Sequence, residues 1–254
     1  MTEEQFQSAK TAMNLKQKKL FELVTKSIWN QLNEEKERLY LFVTGGAGVG
    51  KTFTFKVLVE QVNRCFTRKA VNVGALTGVA SRLVHGSTLH SLLKLPVQKD
   101  GFILPNILQL TGNYLKVMRN QWKNIEFLFI DEISMVPYEM LCMIDSRLRQ
   151  LKKNENEVFG GMNIIVFGDL HQLPPVKGNQ VFNQPAKFLP AVNLWRLFTL
   201  VELTENMRQK GDTTFADLLN ALRVGELTTE HFNVLMSKLI KDEDLKGDFA
   251  KEKV

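Results

Sequence analysis

The sequence predicts an α/β fold built on a doubly wound, mainly parallel sheet. Short apolar runs alternate along the chain with longer segments of helical periodicity, as parallel strands alternate with their connecting helices. The runs are apolar at consecutive positions, which indicates strands that helices cover on both faces. We therefore expect strands at the apolar runs 39–43, 71–76, 125–130 and 164–167, with a further run at 197–203.

Helices are predicted from the segments around these runs. Leu20, Val24 and Ile28 recur at helical spacing, so residues 15–32 are expected to form an amphipathic helix ahead of the first strand. Trp29 and Trp195 belong to apolar stretches and are expected in the core. The later helices are expected to begin at Lys51 and to span 79–93, 137–151, 215–222 and 231–240.

Two regions interrupt the alternation. Residues 94–124 are rich in proline and glycine and too long for an ordinary connection, so we expect a small inserted subdomain there. Residues 241–254 are highly charged and carry few apolar side chains. They are expected to form a tail or a linker.

The composition is that of an ordinary globular protein, since 44% of the 254 residues are hydrophobic and 24% are charged. This excludes a disordered chain and a disulfide scaffold, and the two cysteines, Cys65 and Cys142, are expected to be reduced and buried. No apolar stretch approaches the roughly 20 residues that span a bilayer, and the acidic start is unlike a signal peptide. We expect an intracellular protein that is neither secreted nor in a membrane. The net charge of +6 favours a polyanionic partner only weakly.

The strongest functional motif lies directly after the first predicted strand. Residues 45–52 read GGAGVGKT and match G-x-x-x-x-G-K-[ST], a phosphate-binding loop that opens a helix. Its glycines let backbone N–H groups converge on phosphates, where the helix dipole adds favourable potential. Lys51 would reach the β- and γ-phosphates, and Thr52 would bind Mg²⁺. The residues predicted to bind ATP in this P-loop are Gly45, Gly46, Ala47, Gly48, Val49, Gly50, Lys51 and Thr52.

Two acids follow the third predicted strand. Asp131 ends an apolar run, which places its carboxylate at the carboxyl edge of the sheet, beside the P-loop, where it can hold Mg²⁺. Glu132 can polarise the attacking water as a general base. A protein that only binds nucleotide needs the first acid, whereas a hydrolase also uses the second.

Three further motifs carry a family resemblance. The stretches DEISM at 131–135, FGG at 159–161 and GDLHQLPPV at 168–176 stand in the order found in the petite-integration-frequency (PIF-type) DNA helicases, which the chain resembles over about residues 14–239. This family consists of ATP-driven 5′-to-3′ motors related to RecD, each with two RecA-like domains. The resemblance implies a RecA-like P-loop domain that uses ATP and Mg²⁺.

The resemblance also implies roles for three polar residues. Gln17 is similar to the glutamine that reads adenine, although Asn14 and Gln17 also form a capping-box pattern that needs no ligand. Gln172 is similar to the γ-phosphate sensor, and Arg208 to the arginine that approaches the γ-phosphate. With Lys51, Asp131 and Glu132 these residues complete the predicted catalytic set.

Two Ser- and Thr-rich stretches resemble the family's contacts to single-stranded DNA. Hydroxyls, a glycine amide and helix N-termini can bind phosphate without reading sequence. Either stretch is equally explained as a helix cap when taken alone. In the insertion, Phe102, Tyr114 and Trp122 could stack on bases, but an anchoring role is the favoured interpretation. The predicted DNA-binding residues are Thr77, Gly78, Val79, Ser87, Thr88, His90 and Ser91.

The resemblance implies an organisation in three parts: a helical lead at 1–38, an ATPase domain at 39–240 that includes the 94–124 subdomain, and a tail or linker at 241–254. The second RecA-like domain of the family is not found in this sequence, so we expect a monomer that binds ATP and single-stranded DNA but hydrolyses ATP poorly and cannot unwind alone. The implied role is in DNA repair, recombination, telomere maintenance or mobile-element replication, in the nucleus or in mitochondria. Two hypotheses remain open beside it, a non-catalytic DNA- or protein-binding module derived from a helicase and a small-molecule kinase.

Overall fold

A parallel sheet of six strands forms the centre of the structure, a computed structural model that describes residues 1–33, 37–96, 109–189, 191–207 and 214–239. Its spatial order is β3-β2-β4-β5-β1-β6, and every pairing between neighbouring strands is parallel. The predicted fold class is therefore confirmed. The strands are β1 (Tyr40–Thr44), β2 (Val71–Ala75), β3 (Ser87–Thr88), β4 (Phe127–Asp131), β5 (Asn163–Phe167) and β6 (Thr199–Glu202).

Helices precede, connect and follow these strands. The chain clusters into two compact units, Met1–Arg208 and Gln209–Val254, and the second contains the last two described helices. No helix in the described part of the chain has both the length and the apolar character needed to cross a membrane. The helices are α1 (Glu3–Ala12), α2 (Leu15–Leu32), α3 (Lys51–Cys65), α4 (Gly78–Leu83), α5 (Leu89–Leu93), α6 (Gly112–Trp122), α7 (Tyr138–Lys152), α8 (Thr214–Val224) and α9 (Thr229–Ser237).

Strands β1, β4 and β5 are largely apolar because each supplies side chains to two separate cores. In β4, Leu128 and Ile130 belong to one buried cluster, whereas Phe127 and Phe129 belong to another. Successive side chains of a strand point to opposite faces, so the two clusters lie on the two faces of the sheet. Fully burying one such side chain contributes about 1.5–3 kcal/mol.

The strand order determines which loops meet at the carboxyl edge. Ile130 of β4 pairs with Val166 of β5, and Phe167 of β5 pairs with Val43 of β1. Strand β5 therefore lies between the P-loop strand and the Asp131 strand, which are not direct neighbours. The loop after β5 begins between the P-loop and the acids.

The predicted helix at 79–93 is wrong as a single element. The structure divides it into α4, the short strand β3 and α5. His85 adopts a left-handed φ of 53°, and a Cβ on Gly86 would lie 2.6 Å from the Val73 carbonyl oxygen. The chain leaves the helix at His85 and passes so close to β2 that only glycine fits at the next position.

Two tryptophans behave differently from each other. Trp29 is 60% exposed, so the prediction that it is a core residue is wrong. Trp195 stacks on Phe198 with ring centroids 5.4 Å apart and packs against a core cluster. Leu20, Val24 and Ile28 form the buried face of α2, and Trp29 lies on its exposed face.

The FGG motif has a structural explanation. Phe159 and Gly160 adopt left-handed φ values of 52° and 63°, and a Cβ on Gly160 would lie 2.6 Å from the Leu148 carbonyl oxygen. The carboxylate of Asp145 in α7 accepts a hydrogen bond from the Phe159 N–H. The motif holds the end of α7 against the segment that leads into β5.

The described part of the insertion is α6 and its flanks. Trp122 is almost fully buried in a core cluster, which agrees with an anchoring role, whereas Tyr114 is half exposed. Phe102 lies outside the described residues. The buried guanidinium of Arg147 donates to the carbonyl oxygen of Leu93 and to the side chain of Gln150, so α7 fixes the point where the insertion leaves the domain.

Candidate active site

The P-loop turns tightly between β1 and α3. Gly45, Gly48 and Gly50 have φ values of 150°, 81° and 80°, a region that side chains rarely adopt. A Cβ on Gly45 would lie 2.2 Å from the carbonyl oxygen of Leu203, which follows β6. The glycines of the motif are therefore required by the backbone path and by close packing.

The lysine of the motif folds back onto its own loop. Lys51 Nζ donates hydrogen bonds to the carbonyl oxygens of Gly45 (2.7 Å) and Gly46 (3.0 Å). Thr52 is exposed in the first turn of α3, and the hydroxyl of Thr54 donates to the carbonyl oxygen of Gly50 (2.9 Å). The ammonium group thus lies over the loop that was predicted to hold phosphates.

Gln17 connects the start of α2 to the P-loop. It forms the capping box with Asn14: each side-chain oxygen accepts from the other residue's backbone N–H, at 2.9 and 3.1 Å. Gln17 is fully buried, and its Nε2 donates to the carbonyl oxygen of Val49 at 3.2 Å. The capping interpretation is confirmed, and the same side chain also contacts the predicted nucleotide site. Its adenine-reading role stays a prediction.

The segment after β6 also holds the P-loop, which sequence reasoning missed. The Met207 N–H donates to the carbonyl oxygen of Gly48 at 2.9 Å, and a Cβ on Gly48 would lie 2.7 Å from Asn206 Oδ1. The side-chain amide of Asn14 donates to the Met207 sulfur at 3.5 Å. Arg208, the predicted γ-phosphate arginine, lies outside the described residues.

The two acids lie at the carboxyl end of β4. Burial raises the pKa of Asp131 to about 6, against the lowering effects of a hydrogen bond from the Glu132 backbone and of the Lys51 charge. Glu132 adopts a left-handed φ of 52°. A Cβ on Gly168 would lie 2.9 Å from the Ile133 nitrogen, so the loop after β5 packs directly against the turn that follows the acids.

The loop after β5 carries the predicted sensor. Asp169 is buried and accepts a hydrogen bond from the His171 N–H, and the Gln172 N–H donates to the Asp169 carbonyl oxygen at 2.9 Å. The side chains of His171 and Gln172 are exposed. The backbone of this loop is thus ordered by local turns, while the predicted sensor side chain remains at the surface.

A buried carboxylate anchors the far end of the same loop. Glu139, near the start of α7, accepts hydrogen bonds from the Asn179 N–H (3.1 Å) and side-chain amide (2.8 Å). Lys187 lies 3.5 Å from the same carboxylate. Hydrogen bonds from Asn179 and the charge of Lys187 hold the pKa of Glu139 below its usual value, although burial opposes them.

The predicted DNA-binding residues lie around the ends of β2 and β3. The Thr77 hydroxyl caps α4 by accepting from the Ala80 N–H, and the Thr88 hydroxyl caps α5 by accepting from the Ser91 N–H, each at 3.2 Å. The capping interpretation is therefore confirmed for both threonines. Gly78, Val79, Ser87 and Ser91 are exposed, while His90 is half-buried, and burial lowers its pKa.

No group of three or more His, Cys, Asp or Glu side chains that could hold a metal ion occurs in the described ranges. A Mg²⁺ ion that shares its coordination with a nucleotide needs only one or two protein ligands. Thr52 and Asp131 offer the hydroxyl and the carboxylate for such a site. The donor types fit Mg²⁺, and the glycine-lined loop fits a phosphate.

The P-loop follows β1, the acid pair lies at the end of β4, and a polar loop follows β5. This arrangement at the carboxyl ends of parallel strands defines the class of P-loop nucleotide-binding domains. The family model for PIF1-like helicases matches residues 12–233. The chain therefore belongs to the PIF1-like helicase family.

Curated relatives and solved structures agree with this assignment. The chain is 34% identical over 209 residues to the ATP-dependent DNA helicase PIF1 of Saccharomyces cerevisiae, covering 80% of this chain and 24% of the relative. A Danio rerio PIF1 is 36% identical, over 75% of this chain and 28% of that protein.

Two solved structures extend the comparison to the fold. The Pif1 helicase of Candida albicans superposes with a TM-score of 0.67 at 29% identity, over 90% of this chain and 48% of that one. Bacteroides Pif1 in complex with ADP-AlF₃ and single-stranded DNA superposes with a TM-score of 0.64 at 34% identity, over 85% of this chain and 50% of that one. The chain spans about half of each matched structure and about a quarter of these curated relatives.

Proposed function

We propose that this chain is the ATP-hydrolysing core of a 5′-to-3′ DNA helicase that moves on single-stranded DNA. The observation that supports the proposal is the strand order. It brings the P-loop, the Asp131–Glu132 pair and the Gln172 loop to the carboxyl ends of β1, β4 and β5, three strands that lie side by side. Nucleotide chemistry at such an edge needs a phosphate cradle, a metal ligand and a base.

In this proposal each group has a distinct task. Lys51 exchanges its two loop carbonyls for phosphate oxygens, and Thr52 and Asp131 bind Mg²⁺, which when bound neutralises charge on the phosphates. Glu132 accepts the proton of the attacking water, and Gln172 orients that water. Gln17 holds the loop and contacts the base, and Arg208 stabilises charge on the transferred phosphoryl group.

Single-stranded DNA is proposed to cross the ends of β2 and β3. The exposed Gly78, Ser87 and Ser91 offer backbone and hydroxyl donors beside two short helices that the threonines cap. Such contacts bind any sequence, as a motor requires.

The same proposal includes a monomeric protein with a role in DNA maintenance. It also places the protein in the nucleus or in mitochondria, and a fluorescent fusion tests this location.

The proposal is tested by measuring ATP hydrolysis by the 254-residue chain with and without poly-dT. We expect Mg²⁺-dependent hydrolysis that DNA stimulates, and Lys51→Ala should lower kcat/KM by roughly 100-fold or more because it removes a preorganised charge. Lys56→Ala, on the same helix, is the matched control and should leave the rate unchanged.

Unchanged ATP affinity in Lys51→Ala would favour the non-catalytic module instead. A chain that hydrolyses ATP but does not bind poly-dT, either directly or in a competition assay, would favour a small-molecule kinase. The DNA surface is tested separately with Ser87→Asp, which should weaken dT binding, whereas Ser8→Asp on α1 should not. Equal dT affinity of the two variants would contradict the proposed strand path.

A further inference from the structure

A cavity at the outer edge of β2 has no part in the proposed chemistry. Its volume is about 490 Å³, and it lies between α3, β2 and the turn that precedes β3. Its described lining includes no residue of the P-loop, the acid pair or the loop after β5, and Ser87 is the one lining residue that it shares with the proposed DNA path. The cavity is therefore distinct from the nucleotide site.

The first half of β2 has an unpaired backbone edge beside this cavity. The Phe127 N–H donates to the Ala70 carbonyl oxygen at 3.0 Å, so the even-numbered residues from Ala70 onward turn their backbone groups toward β4. Successive residues of a strand turn these groups to opposite sides, so Val71 and Val73 face the cavity. On that side, β3 pairs only with the last two residues of β2. The N–H and C=O of Val71 therefore have no strand partner in the described ranges.

Asn72 adds a buried polar side chain without a partner. It is 6% exposed and lines the cavity, and its amide forms no hydrogen bond among the described residues. Asn72 pairs in register with Leu128, so its side chain lies on the sheet face opposite to those of Val71 and Val73. Asparagine is disfavoured in strands, and an unpaired buried amide lowers stability. A polar ligand in the cavity would supply the missing partner.

The charges around the cavity favour an acidic ligand. Lys56 and Lys69 line it, and neither forms an ion pair in the part of the chain that the structure describes. Glu60, the one carboxylate among the described lining residues, lies 2.8 Å from Arg64, which neutralises it. The lining therefore carries a net positive charge, which attracts anionic groups.

We propose that this cavity binds an extended peptide of alternating apolar and acidic residues, which adds a parallel strand to the edge of β2. The unpaired groups of Val71 and Val73 recur at an interval of two residues, or about 6.6 Å, which is the repeat of another strand. A polypeptide backbone reproduces this spacing, whereas a compact small molecule does not. The added strand is parallel because β3 occupies the same edge in that direction.

The parallel register predicts which peptide residues bond to β2. A parallel neighbour bonds to Val71 through the residues before and after the one that lies opposite it, and those residues share the face of Asn72. Neighbouring strands lie about 4.8 Å apart, so acidic side chains at these positions reach the Asn72 amide, which can donate to a carboxylate. The intervening apolar side chains lie on the other face, against Phe55 and Val59 of α3.

The probe is a hexapeptide of alternating valine and glutamate, titrated into the 254-residue chain and followed by NMR of the backbone amides. We expect the Val71 and Val73 amide protons to shift downfield, since each gains a hydrogen bond. The same peptide N-methylated at its glutamates should bind at least about 10-fold more weakly, because methylation removes the donors that face β2. Methylation at the valines, whose N–H groups face away from β2, should leave the affinity unchanged.

Substitutions in the protein test the side chains. Asn72→Val should weaken binding of the hexapeptide roughly 5-fold and leave the thermal midpoint and the affinity for dT no lower. Lys56→Glu with Lys69→Glu should weaken binding of this peptide and strengthen binding of a hexapeptide of alternating valine and lysine. The matched control on α2, Lys16→Glu with Lys19→Glu at exposed positions, should change neither affinity.

Three results would overturn the proposal. The hexapeptide could leave the Val71 and Val73 amides unshifted at millimolar concentration, or methylation at the valines could weaken binding as much as methylation at the glutamates. Unchanged peptide affinity in Asn72→Val, with a lower thermal midpoint, would assign the amide to the fold instead. None of these results depends on ATP hydrolysis or on DNA, so this proposal and the proposed function can fail independently.

Discussion

Replacing Asp131 with Asn separates the stability of the domain from its proposed chemistry. Burial raises the pKa of Asp131 from 3.8 to about 6, so its charged form is disfavoured in the fold. Between about pH 4 and pH 6 the folded protein therefore binds more protons than the unfolded one, and stability falls as the pH rises through this window. Above pH 6 the folded protein carries the full destabilising effect of the carboxylate.

The size of the effect follows from the pKa. At about 1.4 kcal/mol per pH unit, a rise from 3.8 to about 6 corresponds to about 3 kcal/mol. Asp131 is partly exposed, and solvent screening reduces this value. We expect Asp131→Asn to raise the free energy of unfolding by about 1–3 kcal/mol at pH 7.5, because asparagine can still accept the hydrogen bond from the Glu132 backbone.

The assay is urea unfolding of both proteins at pH 7.5 and pH 4, without nucleotide. The advantage of Asp131→Asn should shrink at pH 4, where the wild-type carboxyl is protonated in the fold. Glu205→Gln, at an exposed site after β6, should show no difference at either pH. The reasoning is refuted if Asp131→Asn is no more stable at pH 7.5, or if its advantage is the same at pH 4. Mg²⁺-dependent ATP hydrolysis should be lost in the same variant.

Three further substitutions test the contacts around the site. Gln17→Ala should lower the free energy of unfolding by roughly 1–3 kcal/mol, since it removes a capping interaction and buried hydrogen bonds, and should raise the KM for ATP; an unchanged urea midpoint would contradict this. Glu139→Gln should lower kcat per folded molecule more than it raises KM, because a weaker anchor for Asn179 loosens the loop that carries Gln172; unchanged steady-state kinetics of the folded variant at varied ATP would contradict this. Gly45→Ala should destabilise by roughly 1–3 kcal/mol through the clash with Leu203, as thermal unfolding would reveal.

Strands β1, β2, β4 and β5 could be predicted from sequence because their side chains are largely buried on both faces. The ends of the runs 71–76 and 125–130 agree with those of β2 and β4 to within two residues. The error at 79–93 has a local cause, since the apolar pattern continues through the segment while the left-handed His85 and the close approach of Gly86 break the helix. Periodicity reports burial, and it does not report the backbone angle of a single residue.

The short motifs predicted which residues gather at the carboxyl edge, but not how they are held there. DEISM begins at the last residue of β4, and GDLHQLPPV follows β5, as expected for a sheet of this class. The contact of Glu139 with Asn179 joins residues 40 positions apart through one buried carboxylate. Its signal in the sequence is only a glutamate in an otherwise apolar helix face, which is equally typical of a surface residue.

The P-loop shows why such distant contacts affect function. A glycine-rich loop has many accessible conformations, and ordering it opposes nucleotide binding. Gln17 donates to Val49, and Met207 donates to Gly48, so two segments far from the loop in sequence restrict it beforehand. A preordered loop binds its ligand more tightly without changing the chemical step. Loss of either contact should therefore weaken ATP binding more than it lowers kcat, whereas loss of Lys51 should affect both.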